Sequence, residues 1–195
     1  MSQTRQHILH AARDLYLQEG MGGVTMRSVA QRVGVTATTL YRHFKDKDAL
    51  LAAVVDEGFR LFGEYLMRAA EAASPSERFK ASGRAYVDFA LANAAYYRLM
   101  FILPPKLNPT PLEAHVRQRA SGTFRMLVDR VRDSMPSGKW GRGGDAETLS
   151  HAIWALSHGM VSLYLAGKWK GEPKAFRGSF AAAHAWLVRG YLQEK

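Results

Sequence analysis

Residues 25–47, TMRSVAQRVGVTATTLYRHFKDK, admit few folds, because their pattern specifies two short helices around one tight corner. Met26, Val29, Ala30 and Val33 stand at i, i+3, i+4 and i+7, which is one face of a first helix. Leu40 and Phe44 repeat the spacing for a second. Between them Gly34 can adopt a left-handed backbone at no steric cost, Val35 can plug the corner, and Thr36 can cap the next helix. This is the helix-turn-helix arrangement.

The second helix has a surface suited to the DNA major groove. Ala37, Thr38 and Thr39 are small enough to let the backbone approach base edges, and Tyr41, Arg42 and His43 supply donors. Asp46 can cap the following helix, whose first turn holds Lys47. Backbone amides, the helix dipole and an ammonium thus converge where a phosphate could lie. The bland alternative is an ordinary helical hairpin. It is disfavoured because the Ala-x-x-x-Gly corner, the threonine cap and the Tyr-x-x-Phe pair coincide at helix-turn-helix spacing.

Composition is compatible with that reading. The 195 residues are 47% hydrophobic, ample for a packed core, and carry a formal net charge of +10. Excess positive charge favours a polyanion, although nucleic acid, an acidic membrane and an acidic protein all qualify. Residues 1–50 hold seven Lys or Arg against four acids, a net of +3, so most of the excess lies elsewhere. The chain has no cysteine. This excludes disulfides and thiolate metal sites and fits a cytoplasmic protein. No apolar signal core is expected at the start, where His7, His10, Arg13 and Asp14 interrupt the pattern, and no apolar run approaches membrane-spanning length.

The remainder reads as helical, giving an all-α fold of about nine helices. Thr4 is expected to cap a first helix with Ile8, Ala11, Ala12 and Leu15 on one side, ending at Gly20, Gly22 and Gly23. A long helix from about Lys47 to Ala73 carries more apolar positions than a small domain needs and so is expected to connect two domains. Ser74 and Pro75 start another, which leads through Phe79, Tyr86, Phe89, Tyr96 and Tyr97 to Phe101. The four prolines between Leu103 and Pro111 preclude a helix there. A helix from about Pro111 to Met135 follows, then the glycine-rich PSGKWGRGG, a linker that lacks the Gly-Lys-Ser/Thr ending of a phosphate-binding loop. The last two helices are expected at about Asp145 to Ala166 and Lys174 to Gln193.

Residues 4–55 resemble the DNA-binding domain of the TetR family of transcriptional regulators, whose fingerprint TMRSVAQRVGVTATTLYRHFKDKDALL follows closely, with Tyr41, Phe44 and Lys47 in place. AIWALSHGMVSLYLAGK, with Trp154, His158 and Gly159, resembles the family's C-terminal domain type named for a Trp-His-Gly signature. The resemblance implies a helix-turn-helix domain over residues 1–50 and a helical effector-binding and dimerisation domain over 51–195. It also implies a repressor released from a palindromic operator in double-stranded DNA by a small effector, and the lack of acids on the predicted apolar faces of the central helices points to a neutral or anionic lipophile. By position, Thr25, Tyr41, His43 and Lys47 match backbone contacts. Arg27 matches a position from which some members reach guanine, and Thr36, Ala37, Thr38, Thr39 and Arg42 match positions near base edges or flanking phosphates.

Tyr86, Phe89, Tyr96, Phe101, Phe124, Trp154, His158 and Tyr164 are candidates to line an effector cavity, or simply to form core. A homodimer is expected through the two C-terminal helices. Its apolar stripes would be Leu149, Ile153, Leu156, Met160 and Leu163 on one, and Phe176, Phe180, Ala183, Leu187 and Tyr191 on the other. Two other classes compete. An enzyme would rest on histidine pairs, His151 with His158 or His7 with His10. Neither has further metal ligands at suitable spacing, Ser157 and His158 diverge by about 100° around their helix, and no Gly-x-Ser-x-Gly elbow exists. No cofactor is implied. An architectural DNA binder would use the basic surface alone.

Overall fold

The computed structural model describes residues 3–102, 111–135 and 144–192. Among these residues nine helices follow one another without a strand: α1 (Gln3–Gly23), α2 (Met26–Val33), α3 (Ala37–His43), α4 (Lys47–Ala69), α5 (Pro75–Ala92), α6 (Ala94–Phe101), α7 (Pro111–Ser134), α8 (Ala146–Leu165) and α9 (Pro173–Leu192). The all-α expectation is met. The proline-rich stretch up to residue 110 and the glycine-rich loop over 136–143 lie outside the described residues.

The helices sort into two units. The first comprises residues 1–61 and 93–120. Its core takes Ile8, Leu9, Ala12 and Leu15 from α1, Val29 and Ala30 from α2, Leu40 from α3 and Leu50, Leu51 and Val54 from α4, all buried. Thr4 does not cap α1, because Gln3 before it is already helical. The helix is interrupted at Gly20, where φ is 69°. In the same unit α6 returns to α1. Tyr96 is fully buried, and the Arg13 guanidinium stands 5.3 Å from its ring centroid. Gly58 brings α4 against α6 so closely that a Cβ there would meet Met100 Sδ at 2.6 Å. Arg119 of α7 pairs with Asp56 of α4 at 2.6 Å.

The second unit comprises residues 62–92 and 121–195. Helix α4 ends at Ala69, short of Ala73, and the chain turns before Ser74 Oγ accepts the Glu77 N–H at 3.2 Å, the cap expected ahead of Pro75. The pattern from Phe79 to Phe101 does not form one helix. Asn93, with φ −130° and ψ 45°, divides it into α5 and α6. Asp145 caps α8 by accepting the Thr148 N–H at 2.7 Å, which holds its carboxyl below the usual range. Next to it a Cβ at Gly144 would lie 2.6 Å from Tyr191 Oη, so a side chain there would require the tyrosine ring to shift.

The apolar stripes expected to pair two copies are instead largely this unit's own core. Leu149 and Ile153 cluster with Val128, Val131 and Ala146, and Leu187 and Tyr191 of α9 pack against that cluster. Met160, Phe176 and Phe180 are also buried. Spacing of three and four identifies a buried face without naming what buries it, and here α7, α8 and α9 of the same chain do so.

A partly buried polar contact links α8 to α9. His184 Nδ1 stands 2.7 Å from the Phe180 carbonyl, which can only accept, so Nδ1 carries the proton of the neutral ring. Nε2 is then the acceptor, and the Ser157 hydroxyl 2.7 Å away shares its proton between this nitrogen and the Ile153 carbonyl. The ring also stacks on Phe180, with centroids 4.0 Å apart. Burial pushes the pKa of His184 down, and that of His158 likewise. In acid the unfolded chain therefore binds protons that the folded chain resists. The stability linked to these histidines is complete above the unfolded value of about 6.5 and is lost as pH falls through the lower folded values. Acidification from about pH 7.5 to about pH 5 is expected to lower the melting temperature, and less so in the double variant His158→Gln, His184→Gln. An equal loss in the variant would contradict this assignment.

Candidate nucleic-acid interface

The corner between α2 and α3 is built from side chains that satisfy helix ends. Thr25, extended at φ −125°, is the N-cap of α2: its hydroxyl accepts the Ser28 N–H at 3.0 Å and Ser28 Oγ accepts the Thr25 N–H at 2.9 Å. Ser28 also donates to the Gly23 carbonyl at 2.7 Å. This reciprocal box satisfies two of the donors that the helix start leaves unpaired. Val24 and Val29, both wholly buried, occupy the flanking staple positions. At the other end Gly34 is left-handed, with φ 76° and ψ 31°, as expected; its N–H reaches the carbonyls of Ala30 and Gln31. A side chain here would cost about 1–2 kcal/mol of backbone strain.

Thr36 then caps α3, accepting the Thr39 N–H at 3.2 Å. Leu40 and Phe44 turn inward and are buried, while Ala37, Thr38, Tyr41 and Arg42 occupy the exposed arc, with His43 also exposed and Thr39 between the two faces. Tyr41 is 53% exposed. Successive residues advance about 100° around a helix, so Arg42 projects directly away from the buried edge. Arg27 is exposed in the first turn of α2. Asp46 Oδ1 accepts the Ala49 N–H at 2.7 Å and so starts α4, and Lys47 in that turn donates from Nζ to the Met21 carbonyl at 2.7 Å. The lysine is thereby held where α1 ends and α4 begins.

Ten candidate residues (Thr25, Arg27, Thr36 to Thr39, Tyr41 to His43 and Lys47) thus come from one small substructure in the first unit. Thr25 and Thr36 serve its architecture directly, since both hydroxyls are engaged in caps. Ser28 was missed by the pattern of apolar spacing; its position three residues after Thr25 was the available signal.

The candidate effector residues divide. Tyr96 and Phe101 belong to the first unit, where Phe101 packs on Phe59 and Tyr97 at 5.7 and 5.0 Å between ring centroids. The rest belong to the second. Phe62 lies 5.6 Å from Tyr86 and 5.0 Å from Phe89, and Tyr65 is 5.7 Å from Phe89. Phe124 stands 4.5 Å from His151 and 5.9 Å from Trp154, which is 6.4 Å from His158. Trp154 is 41% exposed. Tyr164 stacks on Phe176 at 4.3 Å and so braces the turn from α8 to α9. Ser157 pairs with His184, a residue the sequence pattern did not single out, and not with its neighbour His158. Among the described residues no group of three or more His, Asp or Glu is arranged to hold a metal ion, and no helix is long and apolar enough to cross a membrane.

Comparison with known proteins agrees with this geometry. The description "Bacterial regulatory proteins, tetR family" matches residues 8–54, and "Tetracyclin repressor-like, C-terminal domain" matches residues 79–185. The HTH-type transcriptional regulator UidR of Escherichia coli K12 is 21% identical over 97% of this chain and 93% of its own. The HTH-type transcriptional regulator AcrR of Shigella flexneri is 40% identical over 52 residues, 27% of this chain and 24% of that protein. Among solved structures, a protein of unknown function from Rhodococcus sp. RHA1 superposes with a TM-score of 0.81 at 28% identity, covering 99% of this chain and 97% of that one. The two matched segments together span the helix-turn-helix and most of the helices after it, and the chain belongs to the TetR family of DNA-binding transcriptional regulators.

Proposed function

We propose that this chain acts in the cytoplasm as a homodimeric repressor, holding a palindromic operator through α3 and releasing it when a small lipophilic effector binds. The observation that carries this reading is the exposed arc Ala37, Thr38, Tyr41 and Arg42, set on a helix whose opposite edge is anchored by buried Leu40 and Phe44. Thr36, Ala37, Thr38, Thr39 and Arg42 face base edges or the phosphates beside them, Arg27 reaches a guanine, and Thr25, Tyr41, His43 and Lys47 set register on the backbone. The first-turn amides of α2 and α4 add the positive end of each dipole. Residues 1–50 supply this reader, and residues 51–195 supply dimerisation and effector binding.

Regulators of this family bind DNA operators and usually dimerise. For this chain the surface that favours a second copy is the outer face of α8 and α9. Trp186 is 69% exposed and Leu163 50%, and Ala181, Ala182 and Ala185 are exposed beside the tryptophan's helix turn. Small residues let helices approach closely, and a tryptophan carries a large apolar area whose burial favours association. A two-fold dimer would set two copies of α3 about 34–36 Å apart, or a multiple of that, along one face of the duplex.

The effector reading rests on the rings of Phe124, Trp154 and His158, with Tyr86 and Phe89 in the same unit. Rings of this kind suit a lipophile, with an imidazole or phenol to orient one polar group.

Selection from genomic fragments followed by footprinting is expected to yield one discrete palindrome. Arg27→Ala should cost about 1–3 kcal/mol at a single base pair and relax the preference there, while Lys47→Ala should weaken all sequences alike. Unlocalised, salt-sensitive binding would instead indicate an architectural protein, and no binding would reopen the question of activity.

For the dimer, Ala182→Glu with Trp186→Glu is expected to halve the sedimenting mass at micromolar concentration. A double variant still dimeric would remove this face from consideration.

For the effector, lipophiles that quench the fluorescence of the wild type but not of Trp154→Phe are expected to lower operator affinity about 5- to 150-fold. Binders that leave that affinity unchanged would refute the coupling.

A further inference from the structure

One cation of α1 stands at the far end of α3. Arg5 lies in the first turn of α1, and its guanidinium carbon is 5.2 Å from the centroid of the Phe44 ring. Phe44 ends α3: its backbone is extended at φ −141°, its N–H donates to the Leu40 carbonyl at 3.0 Å, and its side chain is buried. The stack therefore fastens a charge from one helix to the last residue of another, 39 positions later in the chain. Around that point the chain presents exposed Arg42, His43 and Lys45. The acid that follows, Asp46, has one carboxylate oxygen on the Ala49 N–H and the other 3.8 Å from Lys45 Nζ.

We propose that Arg5 is a phosphate-contact residue of the DNA interface, reaching the duplex backbone at the C-terminal end of α3. The inference rests on α3 being the helix that enters the groove. A guanidinium on an aromatic ring uses its flat face, whereas it takes a phosphate with the N–H donors of its edge, so the two interactions do not compete. The buried ring also holds the fork in a fixed place relative to α3, which lowers the ordering cost of the contact. A bland role would have Arg5 merely offset the negative end of the α3 dipole. Arg42 and His43 already occupy that last turn and face the same dipole.

Salt titrations of the full chain, on a duplex bearing its selected site and on a random duplex, test this. Arg5→Gln keeps a stem over the ring without the charge, and Arg5→Lys restores charge without the fork. Arg5→Gln should weaken both duplexes by the same factor. The slope of log affinity against log salt should become shallower by about 0.9, which is roughly a three- to fourfold smaller loss between 50 and 200 mM salt. Arg5→Lys should recover the slope. Unchanged affinity would overturn the proposal. So would a loss with the wild-type slope and a lowered melting temperature, which is a packing effect, or a loss confined to the selected duplex, which is base reading. Tyr41→Ala runs alongside: if it too leaves both duplexes unaffected, the placement of α3 is at fault, and if it alone weakens binding, the assignment of Arg5 is.

Discussion

A seven-residue helix has almost no stability of its own in water, where isolated helices shorter than about 12–15 residues are marginal. Helix α3 is that short, so it exists because Leu40 and Phe44 are buried on the rest of the first unit and because Thr36 satisfies its opening turn. The same burial dictates orientation. Once Leu40 points inward, helical geometry sends Tyr41 and Arg42 outward, and the outward side chains are not free to choose another direction. Truncating Leu40 to Ala would remove about 2–5 kcal/mol from the fold and the orientation of the outward side chains with it.

Most of that substructure was legible in the sequence because its determinants are local. The corner at Gly34 and the caps at Thr36 and Asp46 involve residues three or four apart, within reach of pattern reasoning, as does the cap at Ser74 in the second unit. The exceptions are instructive. Asn93 divides α5 from α6 with neither proline nor glycine to signal it. The stripes of α8 and α9 were visible, but apolar periodicity says only that a face is covered. That α7 covers part of it, through Val128 and Val131, depends on contacts between distant residues. The Ser157 and His184 pair, 27 positions apart, and the Arg5 and Phe44 pair were beyond local reading for the same reason.

Charge divides into two kinds of work. Many acids are committed within the fold: Asp14 to Arg13, Asp56 to Arg119, Glu57 to Arg60 and Asp88 to Arg177. Pairs at half-exposed positions such as Asp88 and Arg177 contribute little net stability, typically about 0–1 kcal/mol. Glu57 differs, since it is buried and held by two 2.7 Å bonds from Arg60. Removing that arginine would leave a carboxylate without compensation away from water.

The first unit is discontinuous in sequence, and this bears on how the chain comes off the ribosome. The segment from Asn93 that brings Tyr96 to Arg13 and Met100 to Gly58 is synthesised only after α5 and the end of α4, which belong to the other unit. A nascent chain that has reached Ala92 holds every residue of the helix-turn-helix yet still exposes the side of α1 that Tyr96 will cover. Translation order and completion of the DNA-reading unit are therefore out of step, and closing a loop of that length must precede the contacts that reward it. A gene fusion that borrows only residues 1–61 as a portable reading head would carry that uncovered surface permanently.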